Sequence, residues 1–254
     1  MKKLFLLSTL IVVALASSIA QGETGKVYSV WSGELIFSWA NMESKGISDA
    51  RLKGEREIVK DNMRFTLFFH LGQYYHYNIN ENVGIISGWA IRNIGSSTDE
   101  NIITEDGGDP RAHKIIRRTY SLGVPLAIKV GSFKDHFFMF AGGEVEWSFW
   151  YKYKYWEAHS RNGGPRKKST WWPSETPTFL PSVFGGLQFP GGIQVKYKYY
   201  PGDFLNHSYR SNDPIEDLSN YTTSPLHYVS LCWQFMPSYR PTNNSGKDIV
   251  AWAK

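Results

Sequence analysis

Phe137-Phe-Met-Phe-Ala-Gly-Gly-Glu144-Val-Glu-Trp-Ser-Phe149-Trp-Tyr-Lys-Tyr-Lys-Tyr155 decides the fold, because its two faces read differently. The odd positions run Phe137, Met139, Ala141, Gly143, Val145, Trp147, Phe149, Tyr151, Tyr153, Tyr155. The even positions after Phe140 run Gly142, Glu144, Glu146, Ser148, Trp150, Lys152, Lys154. Successive strand side chains point to opposite faces. One face is therefore apolar and aromatic, and the other carries four charges. The run is too long for an ordinary strand in a soluble sheet. It fits a tilted strand that crosses a membrane and projects beyond it, with the aromatic face to lipid.

The same alternation recurs outward from this stretch. Met63, Phe65, Leu67, Phe69 and Leu71 alternate with Arg64, Thr66, Phe68, His70 and Gly72. Leu122, Val124, Leu126, Ile128 and Val130 alternate with Ser121, Gly123, Pro125, Ala127 and Lys129. Ile193, Val195, Tyr197 and Tyr199 alternate with Gln194, Lys196, Lys198 and Tyr200, and Val229, Leu231, Trp233 and Phe235 with Tyr228, Ser230, Cys232 and Gln234. Residues 27–39, 83–94 and 178–189 are weaker candidates, which makes eight strands.

The connections sort by parity. Long polar stretches follow strands one, three, five and seven, at 40–61, 95–114, 156–177 and 201–224. Short ones follow strands two, four and six, at 76–82, 131–136 and 190–192; Gly131-Ser132 and Pro190-Gly191-Gly192 are turn formers. A transmembrane barrel has long outer loops and short periplasmic turns. The expected fold is all-β: an eight-stranded antiparallel up-and-down transmembrane barrel over 21–236, with both ends in the periplasm.

The first residues read as an export signal. Lys2 and Lys3 precede an apolar run from Leu4 to Ala16, followed by the small residues Ser17, Ser18 and Ala20. This layout predicts a signal peptide over 1–20, too short to span a bilayer. The formal charge of +5 falls to +3 without those two lysines, which gives no reason to expect a nucleic-acid partner. The lone cysteine, Cys232, excludes an internal disulfide and is expected to point inward. Aromatic residues make up 16% of the chain while mean hydropathy is −0.36. That combination suits a barrel in which only alternate residues meet lipid. Trp31, Trp39, Tyr74, Tyr75, Trp89, Trp156, Trp171, Trp172, Tyr199 and Trp233 fall near expected strand ends, where amphipathic rings favour the membrane–water interface.

Several stretches carry a resemblance. Tyr120-Ser-Leu-Gly-Val-Pro125-Leu-Ala-Ile-Lys129, Phe137-Phe-Met-Phe-Ala141-Gly142-Gly143, and Phe184-Gly-Gly-Leu187 followed by Ile193-Gln-Val-Lys-Tyr197 resemble strands of the outer-membrane β-barrel family common in Bacteroidetes-type genomes. The resemblance covers residues 27–236. It implies a small eight-stranded barrel with no shared enzymatic activity. Tyr228-Val-Ser230-Leu-Cys-Trp233-Gln-Phe235 is similar to the signal read by the barrel-insertion machinery, although Ser230 stands where glycine is usual and residues 236–254 follow. Residues 237–254, with Pro237, Pro241, Asn243 and Asn244, read as a flexible periplasmic tail.

Candidate site residues fall in two groups. In the strand registers above, Glu34, Arg64, His70, Arg92, Lys129, Glu144, Glu146, Lys196 and Lys198 point into the lumen, with Lys152 and Lys154 in or above it. An eight-stranded barrel is just wide enough for side chains to fill, so these charges are expected to form a paired plug. In loop 156–177, Arg161, Arg166, Lys167 and Lys168 precede Trp171 and Trp172; outside the cell these would face lipopolysaccharide phosphates and sugars. The seven histidines show no zinc-ligand spacing, and no Gly-x-Ser-x-Gly elbow is present. His113, His159, Asp109 and Ser160 are loop residues that a rim catalyst would recruit. The expectation is a monomeric, non-enzymatic outer-membrane protein without cofactor or metal. Its expected partners are outer-membrane lipid and lipopolysaccharide, with the insertion machinery during biogenesis. Two alternatives stand beside it: a soluble secreted or periplasmic β-barrel or sandwich that binds a small ligand, and a narrow outer-membrane channel.

Overall fold

The computed structural model describes residues 27–48, 54–67, 70–104 and 109–235. The expected signal peptide, the tail, and Phe68 and Phe69 of the second strand lie outside them. Among the described residues thirteen strands form in chain order: β1 Val27–Ala40, β2 Glu43–Ser44, β3 Arg56–Asn62, β4 Arg64–Thr66, β5 Leu71–Asn78, β6 Val83–Ile102 and β7 Arg111–Ser132, then β8 Phe137–Trp156, β9 Arg166–Trp171, β10 Phe179–Gln188, β11 Ile193–Asp203, β12 Tyr221–Thr223 and β13 Pro225–Phe235.

Eight of these close a ring. The order runs β1, β5, β6, β7, β8, β10, β11, β13 and back to β1, and each neighbouring pair is antiparallel. The chain therefore forms an eight-stranded up-and-down barrel. Short turns at 79–82, 133–136 and 189–192 close one end. His136 adopts a positive φ of 53° and Gly191 and Gly192 values of 85° and 79°, the left-handed geometry such tight reversals require. The long connections gather at the other end.

The barrel is inside-out relative to a soluble one. Val124, Leu126 and Ile128 on β7 are 58–63% exposed, and Met139, Val145, Val183, Val195, Tyr197 and Val229 are also exposed. Alternating with them, Lys129, Glu144, Glu146, Lys196 and Lys198 are buried. Such a contiguous apolar outer band is far larger than a monomer in water tolerates, and its alternation is that of a strand with one lipid face and one lumen face.

Strand length divides the molecule into two storeys. β10, β11 and β13 have 10, 11 and 11 residues, about what a tilted strand needs to cross a bilayer. β6, β7 and β8 have 20, 22 and 20 and continue past the apolar band as an upper wall. β3 pairs with the upper part of β6 from Ser97 to Ile102, and β9 with the upper part of β8 from Trp150 to Tyr155. Those pairings cover edges that would otherwise present open backbone groups. Segment 203–221 folds against the wall's inner surface, burying Phe204, Leu205, Leu218 and Tyr221 with Tyr200, Leu226 and Tyr228.

Four sequence expectations change here. β8 carries a bulge: Tyr120 faces Trp150 and Ser121 faces Ser148, so Phe149 has no partner on β7. One extra residue reverses side-chain parity beyond it. Tyr151, Tyr153 and Tyr155 are therefore buried inside the wall, and Lys152 and Lys154 point outward instead of into the lumen. The expected loop 95–114 is largely strand, in β6 and β7, and the expected loop 156–177 contains β9. The second strand is broken between Thr66 and Leu71. Gly33 pairs with Leu71 and Ile36 with Thr66, so β1 advances three residues while the second strand uses five. The two extra residues preserve parity, which keeps Arg64 and His76 inside. Tyr74 and Trp156, expected at an interface, are buried; Tyr74 faces the lumen charges described next.

Candidate functional site

The lumen is filled in layers. Nearest the short turns, Val30, Tyr74, Ile86, Ala90, Ala127, Phe133, Phe138 and Phe140 form an apolar cluster. A charged layer lies above it, and the cluster around Ile36, Ile94, Leu180 and Tyr228 lies above that.

The charged layer holds three carboxylates and three cations. Arg92 on β6 bonds Glu34 on β1 at 3.2 Å, Glu146 on β8 at 3.4 Å, and Glu144. Lys196 on β11 bonds Glu34 at 2.8 Å. Lys198 bonds Glu144 at 2.8 Å and also Glu146. Hydroxyls complete the shell. Tyr200 donates to Glu146 at 2.6 Å, Tyr74 to Glu34 at 3.3 Å, and Ser121 to Glu146. The Arg92 guanidinium donates to the Tyr74 oxygen at 2.8 Å. Burying a charge is costly unless it is paired and hydrogen-bonded, and here the opposite charges balance.

The strands make room for this layer by alternating large and small inward residues. β7 offers Ser121, Gly123 and Pro125 between Arg92 and the two glutamates, and β13 offers Ser230 and Cys232 between Glu34 and Lys196. A methyl group at Gly123 would stand 1.9 Å from Glu144 Oε1. Cys232 is buried, as its register requires.

The other expected lumen residues sit apart. Arg64 is held on Asn93, its Nη2 donating to Oδ1 at 2.8 Å and Nη1 to the carbonyl at 3.2 Å. His70 Nδ1 accepts the Asn93 N–H at 3.3 Å. Lys129 lies near the short turns, donating to Tyr28 at 3.1 Å and His76 at 3.3 Å, with its ammonium 4.2 Å from the Phe133 ring centre. Beside the charged layer, Tyr74, Arg92, Glu144, Gln194 and Lys196 line a cavity of about 20 Å³, room for a water molecule or two.

A second ionic cluster occupies the upper storey, and its members escaped the sequence reading. Arg56 on β3 donates to Glu100 at 3.1 Å, to the Tyr221 hydroxyl at 2.7 Å and to the Pro214 carbonyl at 2.7 Å. Arg117 on β7 donates to Glu100 at 2.9 Å, and Tyr221 bonds the same carboxylate at 2.7 Å. Both guanidiniums lie over the Tyr221 ring. This cluster latches segment 203–221 onto the wall. Burial alone would raise the Glu100 carboxyl; Arg117 and Arg56, with the Thr98 and Tyr221 hydroxyls, outweigh it together and hold it at about 2.

The loop residues divide by side of β9. Lys168 pairs inward with Glu216, and Arg166 bonds Tyr155 at 3.2 Å and Glu157 at 3.3 Å. Lys167 and Trp171 face outward, Trp172 packs on Trp147 at 5.2 Å, and Arg161 stays exposed in the connection. His113 is held on the Arg111 carbonyl at 2.9 Å and His159 on the Glu100 carbonyl at 3.2 Å. Among the described residues no group of three His, Cys, Asp or Glu side chains converges as a metal site.

No family model matches the sequence, and no curated protein matches it. Several solved structures are similar in outline. Ail, the attachment invasion locus protein of Yersinia pestis, solved with the heparin analogue sucrose octasulfate, is 12% identical, with a TM-score of 0.35 over 82% of this chain and 99% of its own. OprG of Pseudomonas aeruginosa is 11% identical, with a TM-score of 0.33 over 86% and 100%. Neisserial surface protein A is 10% identical, with a TM-score of 0.37 over 84% and 99%. The eight-stranded barrel is established by this chain's own strand pairing.

Proposed function

We propose that this chain is a closed barrel of the outer membrane that carries an ordered platform on the cell surface, with a structural or surface-binding role. The observation that carries this reading is the division of the barrel's faces: exposed Val124, Leu126 and Ile128 outside, charge-paired Glu34, Arg92, Glu144, Glu146, Lys196 and Lys198 inside. A soluble ligand-binding barrel would turn the first set inward. The apolar layers above and below the charges argue against a solute path and favour a scaffold over a channel. Residues 1–20 would direct export, the barrel would begin after them, and 237–254 would trail into the periplasm. The Tyr120–Lys129 strand supports placing the chain with the Bacteroidetes-type barrels. Outer-membrane lipid and lipopolysaccharide are the expected partners of this non-enzymatic role.

The test uses the full chain extracted in detergent. A folded barrel migrates faster on a gel before boiling than after, and in planar bilayers the current stays at background. Stepwise conductance would overturn the scaffold reading in favour of the channel.

A further inference from the structure

The β8 bulge has a chemical consequence on the outer surface. Directly opposed residues on neighbouring strands share a face, so three rows can be read across β7, β8 and β9. The lowest is Tyr120, Trp150 and Trp171; the next is Arg118, Lys152 and Ser169; the third is Ile116, Lys154 and Lys167. Trp150 stacks on Trp171 at 4.7 Å with the rings 2° apart, and on Tyr120 at 4.8 Å. The Lys152 ammonium rests 3.3 Å from the Trp150 ring centre. Immediately below, Trp147 and Phe149 pack with Trp172 and Trp171 at the upper margin of the apolar band.

Four cations thus stand together on one outward face. Nearby ion pairs join Arg166 to Glu157, Lys168 to Glu216 and Lys114 to Asp99. Among the described residues none pairs Arg118, Lys152, Lys154 or Lys167 with a carboxylate. Like charges opposed across strands are destabilising. Partial burial, then Arg118 and Lys154, push the Lys152 ammonium down; partial burial, then Arg118, Lys167 and Arg161, do the same to Lys154. A face of this kind asks for an anion.

We propose that Arg118, Lys152, Lys154 and Lys167 bind the phosphate-bearing headgroup of an outer-leaflet glycolipid, its sugar lying against Trp171 and its acyl chains on the band below. This deepens the membrane reading and rests on it. The occupant follows from position and charge together. The cations lie one row above an aromatic row, which itself lies on the lipid-facing band, so the anion sits at headgroup depth. Phosphate matches the guanidinium and ammonium donors, and the C–H face of a pyranose matches the exposed Trp171 indole beside them. The patch also lies on the flank of the wall, at the end opposite Lys134 in the short turn 133–136.

The test uses the full chain folded in detergent, with diphosphoryl lipid A as probe and native mass spectrometry as readout. Wild-type protein should retain the lipid, and retention should fall with added salt. Changing all four residues together (Arg118→Gln, Lys152→Gln, Lys154→Gln and Lys167→Gln) should weaken it about tenfold or more. Lys134→Gln, in the short turn at the opposite end of the barrel, should leave it unchanged. Equal retention by wild-type and the fourfold variant would overturn the proposal. So would displacement by inorganic phosphate at equal concentration, which would make this a free-anion site. Heat-modifiable migration of the variant shows that it folds. Recovery of the protein in buffer without detergent would instead defeat the membrane reading itself, whatever the lipid result.

Discussion

The Phe149 carbonyl accepts the backbone N–H of Trp172 at 3.0 Å, and Phe149 is the residue that the β7–β8 register passes over. The bulge is thus tied to the end of β9, where Trp172 holds a φ of 55°, a conformation a bulky residue adopts only under constraint. Deleting Phe149 removes the extra residue, so Ser148 leads directly to Trp150 and simple alternation keeps Tyr151, Tyr153 and Tyr155 inward and Lys152 and Lys154 outward, as Ser121–Ser148 and Tyr120–Trp150 already pair. Segment 203–221 should keep its packing surface, and trypsin should spare Arg210 in the deletion variant, in Phe149→Ala and in the wild type alike. Cleavage at Arg210 in the deletion variant alone would show that Phe149 is not the surplus residue of the β7–β8 register.

Arg92 touches all three lumen carboxylates. Arg92→Leu removes the shared cation and leaves Lys196 and Lys198 to neutralise Glu34, Glu144 and Glu146. Breaking a buried ion network by removing one partner costs about 3–5 kcal/mol. Urea unfolding in detergent, followed by tryptophan fluorescence, should show that loss. An unchanged midpoint would mean that the layer is hydrated and exchangeable.

Gly123 and Gly164 make a matched pair. A Cβ on Gly123 meets Glu144 Oε1 at 1.9 Å, whereas one on Gly164 meets nothing within 4 Å. Gly123→Ala should destabilise by about 1–3 kcal/mol, as forced overpacking does. Gly164→Ala should be near neutral. Equal effects in the same unfolding experiment would refute the claim that β7 is hollowed to seat the charges.

Acid should open the latch on segment 203–221. The Glu100 value is depressed from 4.5 to about 2. Its stabilisation is therefore fully present above its unfolded value and is lost as pH falls from 4.5 towards 2, about 3 kcal/mol at most. Asp61, pushed up to about 6 chiefly by burial, acts in the opposite sense: its contribution falls as pH rises from 4 to 6. Loosening should accordingly appear below pH 4. Hydrogen-exchange protection of the 203–221 amides, corrected for the intrinsic pH dependence of exchange, should drop there. In Glu100→Gln it should be low at every pH. Protection that persists at pH 2.5 would contradict the latch.

The barrel was legible because a period of two is a strong signal wherever one face meets lipid and the other meets packed side chains. Leu122 to Val130 shows this well. The charged layer was legible for the same reason, since Glu34, Glu144 and Lys196 are polar exceptions on inward faces. The upper storey was hidden. Alternation through Phe149 looks unbroken because Tyr151, Tyr153 and Tyr155 suit a lipid face as well as a packed interior, so nothing in the residue types marks the bulge. Glu100 and Tyr221 are 121 positions apart, and their meeting depends on loop closure that no local pattern records. The split second strand was equally hidden, because an insertion of two residues preserves parity.

The central claim is that the apolar outer face meets lipid. The most direct measurement places single cysteines at Leu126, on that face, and at Gly164, in the outer connection, in a Cys232→Ser background reconstituted in liposomes. An aqueous, membrane-impermeant maleimide should label position 164 and spare position 126 until the bilayer is dissolved and the protein unfolded. A bilayer-partitioned reagent should label 126. Rapid aqueous labelling at 126, in protein that stays dispersed without detergent, would contradict the account.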